Sequence, residues 1–218
     1  MAVSDRLGAQ QRVNELVEKL VYGLLSTFDK ELKGAYLKGL SGVSRELGRS
    51  FNIKNLDINK PASGMVQGPL YDLTDELKAR TFQLLAEQSL SNTVNTRKIV
   101  EELSSVANYT EARLQTIART ETNRFFQMGR RAGYKQAEKE AGELFMYKWA
   151  GPNDQRTTVA CQRIKSRIQE LGGGVPWDLL IKIVEEEQIK DFPEFVIDYD
   201  APTCHYNCRH FALRTTNG

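Results

Sequence analysis

From Gln10 to Lys33 apolar residues recur at steps of three and four, at Val13, Leu16, Val17, Leu20, Val21, Leu24, Leu25 and Phe28. That spacing predicts an amphipathic helix whose wide stripe suits a core or a partner helix. A short helix is expected around Ser41–Phe51. The stretch from Asn59 to Leu70 holds two Pro and two Gly and reads as a linker. Thr74-Asp75-Glu76 has the form of a helix start, with Thr74 as cap and acids in the first turn. That helix is expected to run to about Gln88, with Ser89–Asn92 as a break before another from Val94 to Ala107.

A further helix is expected from Thr110 to Gly142. Set on a helical wheel, Leu114, Ile117, Ala118, Phe125, Met128 and Ala132 share an arc of about 100°. Glu121 falls in the middle of this arc. A buried carboxylate needs a partner or it protonates, and Arg156 is the expected partner. On the same helix Arg113, Arg124, Arg131 and Lys135 lie within about 40° of one another. Seven bases against three acids between Glu111 and Lys139 leave a local charge of +4. Such a stripe suits a phosphate backbone or an acidic partner, or else a solvated face.

Beyond Gly142 the period changes. Leu144–Trp149 reads as a strand and Gly151-Pro152-Asn153-Asp154 as a turn. Thr157 or Thr158 can cap a helix through Gln169 that carries Cys161 in its first turn, and Gly172-Gly173-Gly174 ends it. Pro176-Trp177-Asp178 opens another helix to about Lys190. Phe195–Asp198 is expected as a short strand. The pattern is α+β: a helical N-terminal part followed by a small mixed C-terminal domain. The expected divisions are residues 1–60 as a helical docking segment, 61–109 as linker and helices, and 110–218 as the mixed domain.

Composition narrows the classes. The 218 residues carry 30 bases and 28 acids, a formal charge of +2, which makes no global demand for nucleic acid. No apolar run approaches the roughly 20 residues of a membrane span, and the first residues lack the apolar core of a signal peptide. Three cysteines are too few, and odd in number, for a disulfide framework.

The candidate chemistry is concentrated. The three Cys and two His all lie between Cys161 and His210, four of them in Cys204-His205-Tyr206-Asn207-Cys208-Arg209-His210. Thiolate and imidazole are the ligands of structural zinc, taken four at a time, and a small α+β domain calls for a staple. Cys161 and Cys208 are the expected ligands, with His210 and one of Cys204 or His205; adjacent residues seldom both bind one ion. The Cys-x3-Cys step is not that of a standard finger, so spacing alone also allows a polar tail beside a buried Cys161.

The residues around the knot carry a resemblance. Ala118-Arg119-Thr120-Glu121, then Trp149 with Asp154-Gln155-Arg156-Thr157 and Cys161, then Pro202, His205, Cys208-Arg209-His210 follow the order of motifs in the phage Mu F-like minor head proteins, the phage head morphogenesis family. The resemblance covers about residues 110–215. Thr158 stands where the family has the first Cys of a Cys-x-x-Cys, Tyr206 where it has Pro, and His210 where it has its last Cys. It implies a minor capsid protein of the virion, at the portal vertex of a tailed phage head after assembly in the host cytoplasm. Its partners would be the portal and other capsid proteins, with packaged DNA contacted through phosphates, and it would aid assembly and DNA packaging or ejection. It also implies a distant fold relation to ADP-ribosyltransferases, which keeps a zinc-stapled nucleic-acid-binding protein or enzyme as the alternative. His-Glu-x-x-His, a deaminase signature and a phosphate loop are absent, so no catalytic role is expected.

Overall fold

The computed structural model describes residues 32–51 and 96–215, with side chains of the second stretch from residue 112 onward, Leu114 excepted. The expected stripe at 10–30, the linker and the helix from Thr74 lie outside the described residues. The elements in order are α1 (32–47), α2 (Thr96–Ala141), β1 (Tyr147–Ala150), α3 (Val159–Glu170), α4 (Trp177–Gln188) and β2 (Phe211–Arg214). The described residues fall into two compact units. One holds residues 96–117, and the other holds 32–51 with 118–215.

The α+β expectation is met by helices around a two-stranded antiparallel sheet. The helices expected at Val94–Ala107 and Thr110–Gly142 are one helix of 46 residues. Asn108, Tyr109 and Thr110 are poor helix formers but not breakers, so propensity there costs only tenths of a kcal/mol per residue. Gly142, at φ 69°, ends the helix.

In the larger unit α1 lies against α2 at contact distance. A Cβ on Gly39 would meet the Phe126 carbonyl oxygen at 2.0 Å, and one on Gly129 would meet that of Tyr36 at 2.0 Å. Glycine at both positions is what lets the two backbones touch. Glu46 of α1 then takes Arg130 Nη2 at 2.8 Å and the Tyr134 hydroxyl at 2.9 Å. The sequence places 32–47 in the docking segment; in the structure it packs in the same unit as the C-terminal elements.

β1 pairs with β2 in the register Tyr147–Arg214 to Ala150–Phe211. The expected strand at Phe195–Asp198 is not one; this stretch makes only an isolated bridge between Asp198 and Ala201. The strand that β1 needs comes from Phe211–Arg214, after the knot. The core gathers Tyr134, Tyr147, Trp149, Ile164, Ile168, Trp177, Leu180 and Ile183. Its aromatic rings meet edge to face, Tyr134 with Tyr147 at 5.3 Å and Tyr147 with Trp177 at 5.0 Å between centroids. Salt bridges from Arg163 to Glu187 at 2.7 Å and to Asp191 at 2.9 Å tie α3 to α4 and its C-terminal turn. They fix the helix that carries Cys161.

Candidate metal centre

Cys161 enters the site from the first turn of α3. Thr158 caps that helix, its hydroxyl accepting from Cys161 N at 3.4 Å. Cys204, His205 and Cys208 come from the loop before β2. That loop reverses at Asn207, whose φ of 56° is tolerated by Asn better than by most residues. The ligand atoms of Cys161, Cys204, His205 and Cys208 all lie within 4.8 Å of one another, and all four residues are buried.

The separations fit one tetrahedral ion. Cys161 Sγ is 3.3 Å from Cys204 Sγ, 3.9 Å from Cys208 Sγ and 3.4 Å from His205 Nε2, and Cys204 Sγ is 3.7 Å from Cys208 Sγ. Sulfurs bound at tetrahedral angles to a metal about 2.3 Å away stand about 3.8 Å apart, and sulfur and nitrogen about 3.6 Å. The same distances are far too long for a disulfide, and the three thiols are free. His205 Nδ1 lies 2.6 Å from the Tyr206 carbonyl. Donation there puts the ring proton on Nδ1 and turns the Nε2 lone pair into the cluster, as metal-bound histidines are held.

Electrostatics point the same way. Hydrogen bonds from Cys204 and Cys208 hold the Cys161 thiol far below its ordinary range. Cys204 is pushed up by its bonds to the other two sulfurs. Burial pulls the His205 imidazole down, but bonds to Cys161 and Cys208 push it up to about 10. A metal ion takes the place of these shared protons, because its ligands bind deprotonated. The buried Cys3His cluster can hold a metal ion.

Two expectations are corrected here. Cys204 and His205 are not alternatives: both face the cluster, since the imidazole nitrogen lies further from its backbone than a thiol sulfur and can fold back to the same point. His210 lies outside the group of four. Its ring is buried, stacked on Trp149 at 6.2 Å and pressed on Gly151, where a Cβ would meet it at 2.6 Å. Burial lowers its pKa, and the nearby Cys161 and Cys208 raise it to about 9.

Residues that the sequence reading missed hold the knot to α2. Thr120 accepts from Asn207 N at 3.0 Å. Asn123 donates to the carbonyls of Cys208 at 3.0 Å and His210 at 3.2 Å, and Gln127 donates to Thr203 Oγ1 at 3.0 Å. Thr120, Asn123 and Gln127 share one helix face at steps of three and four. That polar row beside the apolar stripe was the available signal. Arg209 grips Asp154 with two bonds, 2.8 and 2.6 Å, which joins the knot to the 151–157 turn and holds the Asp154 carboxyl well below its usual range.

Glu121 is buried as expected, at 3% exposure. Its partner is Arg124, three residues on, at 3.0 Å; the expected pair with Arg156 does not form. A neighbour on the same helix face was nearer than any loop residue could come. Arg156 is exposed and its backbone N–H donates to Asp154.

The basic stripe is corrected as well. Arg131 is buried, bonded to Glu138 at 3.0 Å and packed 4.2 Å over the Trp177 ring. Arg124 also donates to the Val196 carbonyl at 3.0 Å and covers the Phe195 ring. Lys135 pairs with Asp200 at 2.6 Å, and Arg113 is half-buried with interactions of its own. Arg124 and Arg131 pair with Glu121 and Glu138 of α2 itself and pack on the Phe195 and Trp177 rings, and Lys135 pairs with Asp200, so most of the stripe is an internal seam.

No helix among the described residues is long and apolar enough to cross a membrane. Scans of family models and searches of curated proteins and solved structures return no match to the chain.

Proposed function

We propose that this protein is a minor capsid protein of the head morphogenesis type, stapled by one structural zinc ion. In this reading it associates with the portal vertex of a tailed phage and aids capsid assembly and DNA packaging or ejection. One observation carries it. The three ordered motifs of the resemblance converge on a single point: Thr120 holds Asn207, Asp154 holds Arg209, Trp149 stacks on His210, and Cys161 meets His205 and Cys208. Motif residues that lie far apart in sequence thus serve one local structure. Zinc is the metal favoured by three thiolates and an imidazole in tetrahedral array. Four protein ligands leave no open position, which is the form of a structural ion and not of a catalytic one.

Two measurements test the proposal. Protein purified without chelator should contain about one zinc per chain, and a content below about 0.2 with all thiols reactive would rule the staple out. Expressed with its neighbouring head genes, the chain should sediment with portal-containing particles in a few copies. A chain left wholly in the soluble fraction would remove the capsid role. That outcome would favour the second reading, a free zinc-stapled nucleic-acid-binding protein or enzyme.

A further inference from the structure

Arg156, released from Glu121, stands at a cleft of about 720 Å³ beside the metal knot. Its walls come from four segments of one compact unit: α1, the 118–126 stretch of α2, the 151–157 turn and the Asn207–Arg209 reversal. Each wall contributes a base: Lys38, Arg119, Arg156 and Arg209. No Asp or Glu is among the lining residues.

These bases differ from those of the stripe. Lys38 and Arg119 are exposed and make no hydrogen bond or ion pair among the described residues. The guanidinium of Arg156 is exposed too, while both carboxylate oxygens of Asp154 are taken by Arg209. Lys38 and Arg119 therefore line the concavity unpaired, and Arg156 joins them with its charge answered only in part, by the Asp154 carboxylate that Arg209 already grips. Phe126 adds an aromatic ring to the same wall, whereas the Asn123 amide N–H groups are spent on the Cys208 and His210 carbonyls. Exposed guanidinium groups in a concave setting recognise phosphate by paired N–H donors. The volume exceeds that of a single phosphate and falls in the range of ligand clefts.

We propose that this cleft is a phosphate-ester site that takes successive phosphates of a nucleic-acid strand. The spread of the bases over four separate segments suits phosphates in series better than one compact anion. A nucleotide or pyrophosphate offers the same chemistry on a smaller scale. Cys208 lines the cleft and belongs to the Cys3His cluster, so an ion bound there would hold one wall in place. The assignment deepens the assembly reading by naming a partner, and rests on that reading only for where the strand would come from.

The test uses the zinc-loaded full chain and a fluorescent 12-nucleotide single strand, titrated at several salt concentrations. With three phosphate contacts the log–log salt slope should be about −2, a roughly 20-fold loss of affinity between 50 and 200 mM salt. Arg119→Ala with Arg156→Ala should weaken binding at least tenfold and bring the slope to about −0.7, with the thermal midpoint unchanged. Gly34→Glu is the second variant, because a Cβ there meets nothing within 4 Å and the new carboxylate enters the cleft without removing a base. It should likewise weaken binding at least tenfold. Pyrophosphate should displace the strand. Binding of pyrophosphate without binding of the strand would uphold the phosphate site and assign it to a small ligand. Strand affinity untouched by these variants, or no binding of either probe, would overturn the proposal whatever the particle experiments give.

Discussion

Around Glu138 a permanent cation closes the buried cluster; around Cys161 exchangeable protons or a metal ion must do so. The Glu138 carboxylate accepts from Arg131 at 3.0 Å, from the Tyr147 hydroxyl at 2.7 Å and from Phe145 N at 3.1 Å. A cation, an acid and two neutral donors close that cluster within the chain. The Cys161 cluster brings together three sulfurs and an imidazole, all of them electron-pair donors. Both clusters are desolvated, but the first is closed by a guanidinium that is always charged, and the second, without a metal, only by protons shared among the thiols and an imidazole whose pKa rises to about 10. A donor-only cluster is stable when an ion completes it, so the contrast in composition becomes a contrast in dependence on conditions.

The largest expected effect is therefore confined to the second cluster. Chelation, or Cys208→Ser, should unfold the knot and with it the anchoring of β2, since structural zinc contributes on the order of 10 kcal/mol of apparent binding free energy. Amide exchange should show loss of protection over 201–214. Chelator-treated protein that keeps its full protection there would break the contrast at once.

Arg131→Ala should cost about 3–5 kcal/mol, because it leaves the Glu138 carboxylate buried without its cation. This loss should be the same number of kcal/mol at every zinc concentration that keeps the ion bound, although total stability rises with zinc. Denaturant titration of both proteins measures it. A cost below about 1 kcal/mol would mean that Arg131 is a surface base after all.

Glu121 lies between the two extremes. Burial raises its pKa above 4.5, and Arg124 lowers it by less. One carboxylate oxygen, Oε2, is buried and accepts no hydrogen bond among the described residues. The folded chain thus holds this proton more tightly than the unfolded chain does. The stability so gained is present in full below 4.5 and is lost as pH rises through the raised folded value. Glu121→Gln removes that slope, so the variant should gain on the wild type as pH rises across the window. Parallel stability curves from pH 5 to 8 would show that Arg124 satisfies the carboxylate fully.

The two clusters also differ in how far the sequence foretold them. Soft ligands are rare, and five in a short span announced a metal site before any fold was known. The cap at Thr158 and the glycines after α3 were local signals, and local physics decides helix ends. Cys161 and Cys208 were expected and are in the cluster, but which of Cys204, His205 and His210 join them was not legible. It depends on the left-handed turn at Asn207 and on three α2 side chains more than 70 residues away. The seam was misread for the same reason. A helical wheel shows that Arg124, Arg131, Lys135 and also Glu138 share a face, yet it cannot show that Asp200 and the Phe195 and Trp177 rings fold onto it. Gly39 and Gly129 gave no sign either, since a glycine within a helix shows its purpose only when another backbone arrives. The partner strand Phe211–Arg214 has four residues, one of them Arg, too short for an alternation to stand out.

The smallest effect belongs to Lys135, at the exposed edge of the seam. Its side chain and that of Asp200 keep 47% and 42% of their exposure, so water screens the pair strongly. Lys135→Ala should change stability by at most about 0.5 kcal/mol, and 0.5 M salt should erase the difference. The same variant separates the two sets of bases. Lys135 answers Asp200, whereas Arg119 and Arg156 face an empty cleft. Lys135→Ala should therefore leave strand binding and its salt slope as they are, while Arg119→Ala lowers both. Equal losses from the two substitutions would place the polyanion contact back on the α2 stripe and make the Asp200 pair a bond that a phosphate can displace.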